Sequence, residues 1–203
     1  MNSVELPVNS HHENRITGLY VNMREAEVSD AEFILGLRTN PLKSRFISKT
    51  DSSLARQIEY MQTYKKRPDE WYFIIEDKDG RPIGTNRVYR YPLWHKTWMD
   101  PQFPGKGILG PGSWLLIDGL SPFQSMESDL LIKRFFFDDL RMSLHPMCVH
   151  KDNLGVIGFH QKWWGAEIIG FDEPTQHHLL NLTRESYLEH LPAFEKFIYR
   201  KRK

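Results

Sequence analysis

The stretch that decides the fold is residues 149–166, VHKDNLGVIGFHQKWWGA. Ahead of it, Leu144 to Val149 reads as a strand. Lys151-Asp152-Asn153 is turn chemistry, and Asn153 suits the N-cap of a helix running to about Trp163. Gly165-Ala166 then leads into a further strand through Phe171. The stretch is therefore strand, capped helix, strand, with a histidine on the helix seven residues past the cap, at His160.

Working back toward the N-terminus, Ser121-Pro122-Phe123-Gln124 is a capping-box pattern with proline at the first helical position. It predicts a helix to about Arg141, preceded by a strand over Ser113 to Ile117. Trp71 to Glu76 and Pro82 to Tyr91 are two strands joined at Asp79-Gly80, a hairpin signal. Earlier still, Gly18 to Met23 reads as a strand. Ser29-Asp30-Ala31-Glu32 reads as a capped helix start, with Phe33, Ile34 and Leu37 at helical spacing. A second helix begins at Asp51, with Leu54, Ile58 and Met61 on one face. Toward the C-terminus, Leu179 to Leu182 is strand-like and Glu185 to Tyr199 forms a closing helix. The order β-α-α-β-β-β-α-β-α-β-β predicts a mixed α/β domain, in which ligands favour strand ends beside helix N-termini. Residues 1–18 are expected to be a flexible segment and 19–203 a single domain.

Composition narrows the function. The chain has 203 residues, 40% hydrophobic and 26% charged, an ordinary globular balance for one domain. A net charge of +1 gives no electrostatic footprint for nucleic acid. The one cysteine, Cys148, excludes an internal disulfide and suits a reducing compartment. The N-terminal residues lack an apolar signal core, and no apolar run reaches the length of a membrane span. A cytoplasmic protein with no nucleic-acid or membrane partner is the expectation. His11-His12 and His177-His178 are adjacent pairs without a carboxylate–histidine pattern, so no metal site is expected.

The strand–helix–strand–helix unit over residues 113–164 resembles the core of the Gcn5-related N-acetyltransferases, or GNATs, most specifically at Val149 to Ala166, and the resemblance extends across roughly residues 19–188. That family also shows a strand ending in valine, an asparagine, a helix with Tyr or His at this same interval, and Gly-Phe or Gly-Ala. Here the doubled Trp163-Trp164 sets Gly165 one residue late. Arg38-Thr39-Asn40-Pro41 looks like the end of the first helix in members acting on nucleotide-linked amino sugars, and also in the ribosomal-protein N-terminal acetylases. Ile83-Gly84-Thr85 with Arg87 looks like the family's third strand. The resemblance implies a mostly antiparallel central sheet flanked by helices and splayed between the fourth and fifth strands, here 113–117 and 144–149. It implies acetyl-CoA as co-substrate and a small-molecule primary amine as acceptor, such as a nucleotide-linked amino sugar. A homodimer is a further possibility. A protein N-terminal amine is the second acceptor reading, and a non-catalytic CoA-binding module the third.

The resemblance also nominates residues. The family's phosphate loop, Arg/Gln-x-x-Gly-x-Gly/Ala, has a literal match at Gln102 to Gly107. No helix can follow it, because Gly110-Pro111-Gly112 forbids one. Counting back from Asn153 by the family's spacing instead lands near Ser121. The pyrophosphate of coenzyme A is therefore expected at Ser121, Gln124, Ser125, Met126, Glu127 and Ser128, with Leu116 or Ile117 pairing to the pantetheine arm and Asn153 and Phe159 in contact. His160 holds the position of the acid that protonates the leaving thiolate, and Glu127, with Asp118 second, is nominated as base. Packed-helix, cap and dipole roles are the competing structural readings of these residues. Arg38 and Arg87 are candidates to hold an anionic acceptor. The long Pro- and Gly-rich segment 92–112, carrying Trp94, His95 and Trp98, is expected to be an acceptor-side lid.

Overall fold

The computed structural model describes residues 15–91 and 107–200. Two antiparallel sheets carry the architecture. In the larger, β1 (Arg15–Thr17), β2 (Asn22–Glu25), β3 (Glu70–Glu76) and β4 (Pro82–Arg90) lie in that order. The outer edge of β4 is shared by β5 (Leu109–Pro111) and β6 (Leu115–Leu116). The smaller sheet has β7 (Leu144–His150) paired to β9 (His177–Thr183), and β9 to β8 (Glu167–Asp172). The strand pair expected to splay, β6 and β7, falls on the boundary between the two sheets. The mixed α/β fold is as the element order predicts, and the antiparallel sheet between helices is as the family resemblance implies.

The layers follow from period-two patterning along β3, which is buried on both faces. Trp71, Phe73 and Ile75 point into the main core against Leu130, Leu131 and Phe135. Tyr72 and Ile74 point the other way, into a second core with Ile34 of α1 (Ala31–Thr39) and Met61 of α3 (Leu54–Tyr64). Between those helices lies a short α2 (Pro41–Ser44), opened by Asn40 capping Leu42 N–H. α4 (Pro122–Arg134) and α5 (Leu154–Trp164) flank the junction of the two sheets, and α6 (Arg184–Ile198) packs on α5 and α4.

Several local expectations change. The entry to α1 is not capped by Ser29: Glu27 and Asp30 form the box, ahead of a 3₁₀ turn over Val28–Asp30. The buried Asp30 is held there by both terminal nitrogens of Arg24, at 2.7 and 2.8 Å, which fixes it as the partner of Glu27 N–H. Arg15–Thr17 forms an edge strand within the segment expected to be flexible. The strand expected over 113–117 is regular only at Leu115–Leu116. Its pairing slips by one residue: Val88 faces Pro111, yet Thr85 faces Leu115 rather than Trp114. The helix expected to reach Arg141 widens into a π turn at Phe135–Asp139. The doubled tryptophan, by contrast, leaves a regular helix end: Gly165 adopts the left-handed conformation (φ 64°), donating to Gln161 O.

Candidate functional site

A cavity of about 440 Å³ opens where the two sheets part. Leu116 forms one wall and Met147 the opposite one. Leu42 and Phe46, at and beyond α2, line it from the first-helix side, while Ile132 of α4 and Val156 of α5 line its helical side. A cleft of this size with a mostly apolar lining suits a small organic ligand.

Strand alternation decides what β6 offers. Ile117 N–H donates to Ile83 O at 2.9 Å, so Ile117 turns its backbone toward β4. Leu116 is opposite Gly84, one step out of phase, so its backbone N–H and carbonyl point to the open side, into the cleft. Of the two residues nominated to pair with an extended ligand, the register favours Leu116. Ile117 is exposed and outside the cavity lining.

The helical wall carries a buried polar group. Lys133 Nζ is ion-paired with Asp129 Oδ1, and both side chains are buried. Trp164 Nε1 donates to the other carboxylate oxygen at 2.8 Å, and the Lys133 ammonium sits 5.2 Å from the Trp164 ring centroid. Beside them His145 and His160 line the cavity. Nδ1 of His160 has no hydrogen-bond partner among the described residues, and neither ring nitrogen of His145 finds one beyond its own main chain. Burial first, and the nearby Lys133 cation second, push both imidazoles well below the usual histidine range, so both are neutral at neutral pH. Burial likewise lowers Lys133, opposed by Asp129. Cys148 also lines the cleft, and burial pushes its thiol up to about 12, so it is a poor nucleophile.

The remaining nominated residues divide sharply. Asn153 lines the cavity at the start of α5, where its side chain makes no cap bond. Phe159 packs against Trp114, with centroids 6.2 Å apart. Ser128 is buried, donating to Ser125 O and accepting from Trp114 Nε1 at 3.1 Å. Met126 packs against the main core. At the head of α4, Ser121 Oγ accepts from Gln124 N–H and Gln124 Oε1 accepts from Ser121 N–H. Pro122 has no amide, so none of these three positions presents an open N–H to an anion.

Glu127 differs from its expected role as base. It is fully buried and outside the cavity lining. Its carboxylate accepts from the amides of Leu19 (2.8 Å), Tyr20 (2.6 Å) and Val21 (2.8 Å), clamping the chain entering β2 onto α4. Those oxygens are engaged away from the cleft, which explains the residue without proton transfer. Asp118, the second nomination, is exposed and ion-paired with Lys43. Arg38 reaches the cavity rim, donating to Thr50 Oγ1 (2.8 Å) and to Ser113 Oγ (2.9 Å), and Ser113 lines the cleft. Arg87 is committed elsewhere, to Glu70 at 2.7 Å and to the Tyr89 ring at 4.3 Å. Trp94, His95 and Trp98 lie outside the described residues, as does most of the expected lid. Sequence reasoning missed Asp129, Lys133 and His145. The i, i+4 spacing of Asp129 and Lys133 was visible, but not that it faced inward.

The fold is that of the Gcn5-related N-acetyltransferases. The chain is similar to the apo structure of FdhC, a nucleotide-linked sugar GNAT, at 29% identity over 91% of this chain and 98% of that one, with a TM-score of 0.73. It also resembles a GCN5-related N-acetyltransferase from Brucella melitensis (15% identity, 92% and 86% coverage, TM-score 0.67). A third similar structure is the aminoglycoside acetyltransferase AAC(6')-Ib in complex with coenzyme A (18% identity, 83% and 98% coverage, TM-score 0.67). No protein-family model and no curated protein sequence matches the chain. Among the described residues, no helix is long and apolar enough to cross a membrane.

Proposed function

We propose that the protein transfers an acetyl group from acetyl-CoA to the primary amine of a small molecule, with a nucleotide-linked amino sugar as the first acceptor class to test. The observation that carries this reading is the cleft between β6 and β7, open at the Leu116 backbone and floored by the neutral His160. An extended pantetheine arm fits such an edge, because Leu116 offers one donor and one acceptor to an amide chain. Holding the thioester beside the amine removes the entropy of encounter, and a backbone N–H aimed into an apolar cleft stabilises a developing oxyanion. His160 offers a neutral ring that hydrogen-bonds the departing sulfur. The likeness to FdhC supports the sugar reading, as does Arg38, held by Ser113 at the rim, where it suits an anionic acceptor.

The head of α4 fits the pyrophosphate of coenzyme A only if its capping box opens, since Ser121 and Gln124 occupy each other's amides. This feature favours the third reading, a module that keeps the fold without turnover, whether or not it still binds coenzyme A. Thermal shift with acetyl-CoA, followed by mass spectrometry of nucleotide-linked amino sugars incubated with protein and acetyl-CoA, separates the two. Stabilisation plus an acetylated sugar supports the enzyme. Stabilisation without an acetylated sugar moves the acceptor elsewhere or supports a CoA-binding module, and no stabilisation removes the enzyme and leaves a fold without the cofactor.

A further inference from the structure

We propose that His145 is a second catalytic imidazole of this cleft, which takes the proton shed by the acceptor ammonium while His160 attends the departing sulfur. The inference rests on the acetyl-transfer reading. It begins from the ionisable side chains that line the cavity. Lys43 is paired with Asp118, and both oxygens of Asp129 are engaged by Lys133 and Trp164. Burial holds Cys148 protonated. His150 sits at the open edge, its side chain 22% exposed to water, with Nδ1 accepting from Asp152 N–H at 3.3 Å and facing the Asp152 carboxylate at 3.7 Å. His145 and His160 remain: among the described residues Nδ1 of His160 has no partner, and the ring nitrogens of His145 find none beyond its own main chain.

A buried imidazole left in that state costs about 1–3 kcal/mol for each unmet group, so a ligand or water is the expected partner. His145 is 2% exposed and is held in place on β7. Phe136 meets its ring edge-on at 4.6 Å between centroids, and Phe137 lies 6.0 Å away. Aromatic rings thus close one flank, and the cavity is the side from which a polar partner can arrive.

The step balances. The ammonium R–NH3+ gives one proton to a ring nitrogen of His145, and the freed lone pair forms the C–N bond at the thioester carbonyl carbon. Collapse breaks the C–S bond, leaving its electron pair on sulfur. The second proton passes from the new amide nitrogen to sulfur through His160, and the His145 imidazolium later releases its proton to water. Burial disfavours a cation on either partner, and passing the proton between them leaves the net charge of the cleft unchanged.

The test uses the full chain labelled with 15N-histidine, with the two ring systems assigned from His145→Asn and His160→Asn. Saturation with acetyl-CoA is expected to move the ring-nitrogen signals of both residues. With UDP-glucosamine or ribostamycin as amine, His145→Asn is expected to keep coenzyme A affinity within about threefold and lose about a hundredfold in acetyl transfer. His145 signals that stay fixed while His160 signals move would overturn the proposal. So would wild-type turnover by His145→Asn. If neither amine is acetylated, the NMR result alone decides. If no histidine signal moves and calorimetry shows no coenzyme A binding, the acetyl-transfer reading itself fails and takes the proposal with it.

Discussion

Lys133 Nζ and Asp129 Oδ1 form an ion pair one helical turn apart on α4, with both side chains out of solvent. Isolated charges of this kind are costly to bury, and the pair survives because Trp164 satisfies the second carboxylate oxygen. We expect Asp129→Leu to lose about 3–5 kcal/mol, since it strands the Lys133 ammonium. The double variant Asp129→Leu/Lys133→Met should recover at least about 1 kcal/mol of that loss. Urea unfolding of the three proteins checks it. A double variant no more stable than Asp129→Leu alone would show that the two groups act separately.

The Glu127 clamp gives a second expectation. Glu127→Gln places an amide donor against backbone N–H groups and should cost about 2–4 kcal/mol. Gly18 lies under the same carboxylate, and a Cβ there would stand 2.6 Å from Glu127 Cδ. Gly18→Ala should therefore cost about 1–3 kcal/mol. Turnover per folded molecule should stay near wild type in both. A hundredfold loss of turnover in Glu127→Gln at full folding would return the base role to this residue.

His160→Phe should hold the melting temperature within a few degrees, because the ring replaces an imidazole whose Nδ1 is unmet. Acetyl transfer should fall roughly ten- to a thousandfold. Steady-state kinetics beside a thermal melt settles the matter, and unchanged turnover would leave the thiolate to water.

Stability should also follow pH through the two buried imidazoles. Both have folded pKa values held below the unfolded value. Below about pH 6.5 the unfolded chain therefore binds more protons than the folded one, and stability falls as pH falls. Above that range the histidines contribute no slope. Each contributes about 1.4 kcal/mol per pH unit between its folded and unfolded pKa values. Denaturation midpoints at pH 5.5 and 7.5 should differ in the wild type, and the difference should shrink in His145→Gln/His160→Gln. An equal difference in both proteins would place the titration elsewhere.

The self-capped head of α4 can be opened by mutation. Gln124→Ala frees the Ser121 amide and should tighten coenzyme A about threefold if the pyrophosphate binds there, at about 0.5–1 kcal/mol of helix stability. Calorimetry with coenzyme A measures it. Unchanged affinity would place the phosphates elsewhere, and weakened affinity would show the Gln124 side chain itself holding them.

Much of the scaffold was legible along the chain because its signals are local. The alternation of residues 70–76, the Asp79-Gly80 turn, the Ser121–Gln124 box and the Asn153–Gly165 helix each act within a few residues. The two parted strands were anticipated by the family resemblance that these elements carry, not by their order alone. What the chain could not reveal depends on facing across distance. Glu127 reads as a first-turn helix acid, and only packing aims it at the amides of Leu19 to Val21. Ser29 reads as a cap, but Arg24 selects Asp30 instead. Nothing along the chain singles out His145, or shows that Asp129 and Lys133, four residues apart, share a buried helix face. Tertiary structure set His145 and Asp129 in the cleft wall with Lys133 paired behind them, and removed their water. Sequence thus determined the elements and their order, through short-range hydrogen bonding and hydrophobic period. The site was decided by which faces of β7, α4 and α5 meet, because desolvation and charge proximity exist only once those elements pack.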